Sequence, residues 1–174
     1  MPMVFSYWLL PAAPAAAALR QRIDALAARY DAVAFEPHVT LYTGPSDDAE
    51  VAETMAFLQG SFRPLTLKPF VLAQSSRLTK TLYIRLELTA ELASLAAMLS
   101  NRARQKSASV LDDPHVSLLY QRIDEAERAR LAAEIALPQP FAADGIAVIE
   151  TEVPIGNLDQ IRRWRFPGRF RSGE

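Results

Sequence analysis

PHVTLYT at residues 37–43 and PHVSLLY at residues 114–120 contain the only two histidines of this 174-residue chain, His38 and His115. In each heptad a proline precedes the histidine, a valine follows it, and a hydroxyl residue stands two positions on. Residues two apart in a β-strand point to the same face, so the alternation of polar and apolar residues predicts a strand with one polar face. The heptads therefore predict two equivalent strands, each with a histidine and a hydroxyl on one side.

The similarity between the heptads extends into an internal repeat. EPHVTLYTGPSDDAE (36–50) aligns without a gap with DPHVSLLYQRIDEAE (113–127), where seven of the fifteen pairs are identical and three more are conservative. The same offset places the run at 4–10 on residues 81–87, and both runs have the β-branched and aromatic composition of strands. The chain is thus predicted to repeat one order of elements: strand, helix, histidine strand, capped helix and strand.

This repeat predicts the domain organisation. We expect one domain over residues 1–174, with repeats at approximately 4–74 and 81–151. The first repeat ends in a predicted strand at 65–74, and a C-terminal strand at 161–166 is followed by an arginine-rich tail. The predicted fold class is α+β, with two pseudo-symmetric lobes whose histidine strands face each other across a groove.

Two pairs of acidic residues stand three positions apart, Asp47 with Glu50 and Asp124 with Glu127. Such pairs resemble paired catalytic carboxylates. Their position just before helical apolar periodicity fits helix N-capping, which explains them without a further assumption.

The composition restricts the classes of function. The chain is 50% hydrophobic and has 19 basic and 20 acidic residues, a balance that argues against coating long stretches of nucleic acid but allows a small anionic ligand. Cysteine is absent, which excludes disulfides and thiolate metal sites, and the two histidines lack the short spacing of metal ligands. We therefore expect neither a metal nor another cofactor.

The N-terminal segment is apolar from Val4 to Ala18, as in a signal peptide. No Lys or Arg precedes Arg20, however, and Pro11 and Pro14 interrupt the run, so a strand followed by a helix is the better interpretation. No stretch approaches the roughly 18–20 unbroken apolar residues of a membrane span. We expect a cytoplasmic monomer without a membrane partner.

Two imidazoles suit acid–base chemistry on a phosphate, because each titrates near neutral pH and one can take a proton while the other gives one. Thr40 and Ser117 lie two residues after the histidines, about 7 Å along the same strand face, where their hydroxyls can reach phosphoryl oxygens. A histidine in a strand is more commonly a structural hydrogen-bonding group. The recurrence of both histidines with both hydroxyls favours a functional role.

The two His-x-Thr/Ser motifs resemble those of the 2H phosphoesterase superfamily, and the closest resemblance is to its plant- and yeast-type cyclic phosphodiesterases. The stretches that carry it are FSYWLLP (5–11), FEPHVTL (35–41) and PHVSLLY (114–120). The resemblance implies a bilobal fold with an antiparallel sheet and flanking helices in each lobe. It also implies hydrolysis of a nucleoside 2′,3′-cyclic phosphate or ADP-ribose 1″,2″-cyclic phosphate to a monoester, so a small anionic nucleotide is the expected partner.

The resemblance also implies roles for the residues of the two motifs. His38 and His115 become the acid–base pair, and Thr40 and Ser117 bind the phosphate. His115 is favoured as the base that activates water and His38 as the acid, while the pseudo-symmetry leaves the reverse open.

Five further residues are candidate substrate contacts. Tyr120 matches a family position at the groove, and Trp8 matches an aromatic position that also suits the core. Tyr42 shares the face of His38, although packing explains it equally well. Where plant-type relatives are aromatic-rich, this chain has RLTK (77–80), which offers Lys80 or Arg77 as additional phosphate contacts.

Two alternatives to a small-molecule cyclic phosphodiesterase remain. One is an RNA-end 2′,3′-cyclic phosphodiesterase of the 2′–5′ RNA ligase-like branch, with RNA ends as partners. The other is a nucleotide-binding module without catalysis, against which the retention of both histidines and both hydroxyls argues.

Overall fold

The computed structural model describes residues 2–106 and 111–173. Its strands are β1 (Met3–Pro11), β2 (Val39–Gly44), β3 (Leu65–Leu67), β4 (Pro69–Gln74), β5 (Leu82–Leu86), β6 (His115–Leu119), β7 (Phe141–Glu152) and β8 (Arg165–Arg171). Its helices are α1 (Ala15–Arg29), α2 (Asp48–Ser61), α3 (Ala90–Arg102), α4 (Glu125–Glu134), α5 (Leu158–Arg162) and a short 3₁₀ helix at Leu78–Lys80. The predicted α+β class is confirmed.

Two antiparallel sheets form the framework. The first has the order β2-β1-β7-β3, with β8 also paired to β7, and the second has the order β4-β5-β6. In each sheet a histidine strand pairs with the strand that begins its own repeat: β2 with β1, and β6 with β5. The register places Thr40 opposite Trp8 and Ser117 opposite Tyr83, so each hydroxyl has an aromatic neighbour on the adjacent strand.

The two repeats exchange their last strands. β4, from the first half of the chain, pairs with β5, whereas β7, from the second half, pairs with β1. The helices follow the same exchange, because α3 packs on β2 and α1 contacts β6. Each lobe is therefore built from both halves of the chain.

The prediction of one strand over 65–74 was wrong. β3 pairs with β7 in the first sheet, and after Lys68 the chain continues as β4 in the second sheet. Pro69 begins β4, and a proline has no N–H to donate to a ladder, which suits the point where pairing changes partner.

The predicted strand at 161–166 was also wrong. Asn157 and Gln160 form a capping box that begins α5, and the last strand is β8, which starts only at Arg165. The arginines of the expected tail lie on this segment in ion pairs: Arg162 with Asp159, Arg163 with Glu152, Arg165 with Glu150 and Asp48, Arg169 with Glu36, and Arg171 with Asp144.

One hydrophobic core joins the two sheets and the helices. The cap predictions hold, since the carboxylates of Asp47 and Asp124 each accept a hydrogen bond of 2.8 Å from the backbone N–H three residues on. Within the described part of the chain, none of the helices has the length and apolar character needed to cross a membrane.

Candidate active site

A groove of about 680 Å³ is lined by residues of both sheets. All nine residues that the sequence suggested line it: Trp8, His38, Thr40, Tyr42, Arg77, Lys80, His115, Ser117 and Tyr120. The fold therefore brings together two heptads that are far apart in the chain.

Both histidines are held by the same backbone contact. His38 Nδ1 lies 2.6 Å from the carbonyl oxygen of Glu36, and His115 Nδ1 lies 2.8 Å from that of Asp113. A carbonyl oxygen can only accept, so Nδ1 carries the proton in each ring and Nε2 keeps its lone pair. The intervening proline restricts the residue that supplies the carbonyl to extended conformations, which explains why the Pro-His pair recurs with this geometry.

His38 is enclosed by aromatic rings. It is 5% exposed, and its ring is stacked on Trp8 at 3.5 Å between centroids with an angle of 6°. Its Nε2 lies 3.4 Å from the hydroxyl of Tyr120, which donates to it. Burial lowers the pKa of His38 to about 3, against the opposing effect of the Glu36 carbonyl, so the ring is neutral at pH 7 in the free protein.

His115 has a more polar and more exposed environment. The edge of its ring contacts Tyr83, with centroids 5.3 Å apart. Burial lowers the pKa of His115, the positive charges of Lys80 and Arg77 lower it further, and Asp113 acts in the opposite direction. The two histidines share a tautomer but differ in access to water.

A salt-bridge cluster supports the His115 segment. The carboxylate of Asp113 accepts from the ammonium of Lys80 and, at 2.8 Å, from Nε of Arg85. Lys80 Nζ also lies 4.6 Å above the ring of Tyr83. The charge of Lys80, a candidate phosphate contact, is thus directed mainly at Asp113, whose backbone carbonyl positions His115.

The two hydroxyl residues are not equivalent. Ser117 is buried and its Oγ donates to the carbonyl oxygen of Thr79 at 2.9 Å. Thr40 is half-buried, and its hydroxyl has no hydrogen-bond partner among residues 2–106 and 111–173. A ligand can therefore accept from Thr40 directly, whereas Ser117 must give up an existing bond to donate.

The remaining candidates also have partners within the protein. The Tyr42 hydroxyl donates to the carbonyl oxygen of Gln105 at 3.3 Å, and the side chain is buried. Trp8 is 2% exposed and belongs to the core, yet it also forms the stacking surface for His38. The core position considered for Trp8 is confirmed by its burial, whereas contact with a substrate stays a prediction.

One wall of the groove was missed by sequence reasoning. Trp164 lines it, donates from Nε1 to Thr151 Oγ1 at 2.8 Å, and meets Trp8 edge to face at 5.2 Å. Val153 to Ile155 line it as well. These residues lie after the internal repeat, so comparison of the two repeats could not identify them. The chain has two tryptophans, and this rarity was the one feature of Trp164 that could have suggested a role.

No group of three or more His, Cys, Asp or Glu side chains is arranged to hold a metal ion within the described ranges. The titratable and polar side chains that line the groove are imidazoles, hydroxyls, cationic groups and the carboxylates of Asp112 and Asp113.

Residues 3–137 match the family described as cyclic phosphodiesterase-like protein. The chain belongs to this family. The family lies within the 2H phosphoesterase superfamily, so the resemblance seen in the two motifs is confirmed at that level, while the plant and yeast subtype stays a prediction.

The family match covers both histidine heptads and ends before Thr151 and Trp164. The segment that matches the family thus contains both histidines and both hydroxyl residues. The C-terminal wall of the groove lies outside that segment.

Solved structures show the same fold over nearly the whole chain. E. coli LigT in apo form has a TM-score of 0.60 at 19% identity and covers 99% of both chains. E. coli LigT complexed with 3′-AMP has a TM-score of 0.57 at 20% identity over 100% of both. The crystal structure of a phosphoesterase has a TM-score of 0.58 at 20% identity, over 99% of this chain and 100% of the other. No curated protein matches the sequence with significant similarity.

Proposed function

We propose that this protein hydrolyses a cyclic phosphodiester to a phosphomonoester, with a nucleoside 2′,3′-cyclic phosphate or ADP-ribose 1″,2″-cyclic phosphate as substrate. The observation that carries the proposal is the groove itself, in which two imidazoles of fixed tautomer, one from each histidine heptad, stand with two strand hydroxyls. E. coli LigT, which has this fold, has been crystallised in complex with 3′-AMP, ATP and NADP⁺, and this supports a nucleotide as the ligand class.

In the proposed reaction His115 acts as the base, because it is the more exposed of the two rings and water can reach its Nε2. It takes a proton from water while the water oxygen forms a bond to phosphorus. One ester bond of the ring breaks, and the leaving alkoxide receives the proton of His38 Nε2.

His38 is neutral before substrate binds, so it must first take up a proton. A bound phosphate anion favours this uptake, because its negative charge offsets the cost of burying an imidazolium next to Trp8. An imidazolium in such a dry environment is a strong acid, which suits protonation of an alkoxide. Thr40 and Ser117 then donate to the phosphoryl oxygens on which negative charge develops.

The test is turnover of adenosine 2′,3′-cyclic phosphate by the purified protein in EDTA, followed by phosphorus NMR. We expect a monoester signal, and a loss of about 10²–10⁴-fold in rate for His115→Asn. The asparagine amide can still donate to the Asp113 carbonyl, so this variant removes Nε2 without removing the backbone contact. No turnover of either this substrate or ADP-ribose 1″,2″-cyclic phosphate, or turnover unaffected by His115→Asn in a folded protein, would contradict the proposal.

A second candidate is an RNA-end 2′,3′-cyclic phosphodiesterase of the 2′–5′ RNA ligase-like branch. Two exposed arginines, Arg77 and Arg122, line the groove and provide positive charge for a longer substrate. A higher kcat/KM on an oligonucleotide ending in a cyclic phosphate than on any small nucleotide would favour it. Binding of either ligand without turnover would instead indicate a non-catalytic nucleotide-binding module.

A further inference from the structure

Arg77 and Arg122 are the two arginines that line the groove, and both are exposed. Most arginines in the described residues form an ion pair with a carboxylate. Within those residues Arg77 and Arg122 have no carboxylate partner, and Arg122 makes only a long contact of 3.5 Å to the carbonyl oxygen of Gly156. Both guanidinium groups therefore have donors available to a ligand.

The buried hydroxyl of Thr81 joins the two segments that carry these arginines. Its Oγ1 lies 3.0 Å from the carbonyl oxygen of Arg77 and 2.6 Å from that of Gln121. Thr81 is 1% exposed, and Gln121 immediately precedes Arg122. The two arginines thus start from backbone segments that meet at one atom, and both side chains line the groove.

The segment that follows Arg77 contacts the strand of the proposed catalytic base. The carbonyl oxygen of Thr79 accepts from Ser117, two residues after His115, and Lys80 pairs with Asp113, whose carbonyl oxygen contacts His115 Nδ1. The third cation of the groove, Lys80, is already paired with Asp113. Arg77 and Arg122 are therefore the groove cations left for a group that extends beyond the scissile phosphate.

We propose that Arg77 and Arg122 form a second anion subsite, which binds a phosphate on the 5′ oxygen of the ribose that carries the cyclic phosphate. Planar guanidinium groups suit phosphate because they donate two parallel hydrogen bonds. This inference rests on the proposed function and adds a requirement to it: the preferred substrate has two phosphate groups on one ribose. Both a pyrophosphate-linked nucleotide and an RNA end carry a phosphate group at this 5′ oxygen.

The experiment compares adenosine 2′,3′-cyclic phosphate with its 5′-phosphorylated form. We expect the wild-type protein to favour the 5′-phosphorylated substrate by at least about tenfold in kcat/KM, the effect of one or two charge-assisted hydrogen bonds. The double variant Arg77→Gln/Arg122→Gln should reduce this ratio to about one. Arg63→Gln is the matched control, because Arg63 also lacks a carboxylate partner among the described residues but lies outside the groove; it should keep the wild-type ratio.

Two further substrates separate the sources of the 5′-phosphate. ADP-ribose 1″,2″-cyclic phosphate presents it as a pyrophosphate, and a dinucleotide with a terminal 2′,3′-cyclic phosphate presents it as a phosphodiester. The source whose kcat/KM the double variant lowers most is the one that the subsite serves.

Turnover of both adenosine substrates at equal kcat/KM, or a ratio that survives in the double variant, would overturn the second subsite and leave the proposed function standing. Absence of turnover with every substrate would overturn the proposed function and this inference with it.

Discussion

His38 and His115 have the same backbone contact but different surroundings. One ring is stacked on Trp8 and closed off from water, whereas the other meets the edge of Tyr83 and is influenced by Lys80. The repeat therefore preserved residue types and tautomers, while the environments diverged. In the proposed mechanism, that divergence is what assigns two identical side chains to opposite directions of proton transfer.

The lowered pKa of His38 predicts acid sensitivity. Unfolded His38 takes up a proton near pH 6.5, whereas the folded residue resists protonation until about pH 3. Between these values the unfolded state binds more protons, so the free energy of unfolding should fall by about 1.4 kcal/mol per pH unit as pH decreases through this window. Urea unfolding at several pH values measures it. His38→Asn should show a shallower slope; equal slopes would contradict the assignment to His38.

The different environments of the Thr40 and Ser117 hydroxyls predict that their removal has different effects on stability. Thr40→Val removes a hydroxyl without a partner in the described residues, so it should lower kcat/KM with a change of under about 0.5 kcal/mol in stability. Ser117→Ala leaves the carbonyl oxygen of the half-buried Thr79 without its donor, and should lower both kcat/KM and the free energy of unfolding, the latter by about 1–3 kcal/mol. Thermal unfolding and steady-state kinetics of the pair test this. Equal losses of stability in the two variants would show that the Ser117–Thr79 hydrogen bond does not stabilise the fold.

At the scale of elements, α5 and the loop before it hold the C-terminal wall of the groove. The Gln160 side chain is 4% exposed; it accepts from the N–H of Gly156 at 2.7 Å and donates to the carbonyl oxygen of Pro154 at 3.2 Å. Helix α5 thus holds, through the hydrogen bonds of Gln160, the loop whose residues Val153 to Ile155 line the groove.

Loss of the Gln160 hydrogen bonds should affect both stability and substrate binding. Gln160→Ala is expected to lower the free energy of unfolding by about 1–3 kcal/mol and to raise KM, because the loop wall loses its hydrogen bonds. Thr89→Ala is the control: it removes the N-cap of α3, away from the groove, and should cost about 1 kcal/mol without changing KM. A KM change of the same size in both variants would mean that general destabilisation, not the loop, is responsible.

Most elements were predictable from local patterns, and the errors have local explanations. The caps of α2 and α4 and the helix that follows the first strand were correct because each depends on residues within one or two turns. The 65–74 run is a continuous strand pattern, and nothing in it shows that its two parts join different sheets. At 161–166 the β-branched and aromatic residues favoured a strand, although Asn157, four residues earlier, caps the start of a helix.

At the scale of the whole molecule, the exchange of β4 and β7 makes the two lobes dependent on each other. Each sheet contains strands from both halves of the chain, and one core cluster includes residues of both sheets. Neither sheet can form without the other half, so the molecule should unfold as one cooperative unit.

This dependence is measurable with a core mutation in the second sheet. Ile84→Ala, at a fully buried position of β5, should lower the free energy of unfolding by about 2–5 kcal/mol. Both tryptophans, Trp8 and Trp164, contact the first sheet, so their fluorescence reports on the lobe without the mutation. The fluorescence and far-UV circular dichroism midpoints should shift together. A fluorescence midpoint that stays at the wild-type value would contradict cooperative unfolding; Ile146→Ala, in the first sheet, is the matched comparison.

The sequence by itself determined the two histidine strands, the pairing of each histidine with a hydroxyl, and the repeated order of elements. These features depend on residue type and on a period of two, which the chain encodes within a few positions. They were enough to name the four residues that the groove brings together and the family to which the chain belongs.

Only the tertiary structure decided how the equivalent halves differ. The stacking of Trp8 on His38, the hydrogen bond from Ser117 to Thr79, and the contact of Thr81 with the carbonyl oxygens of Arg77 and Gln121 all join segments distant in sequence. Such contacts follow from which strands exchange between sheets, and that choice is made by packing of the whole core because no local pattern specifies it.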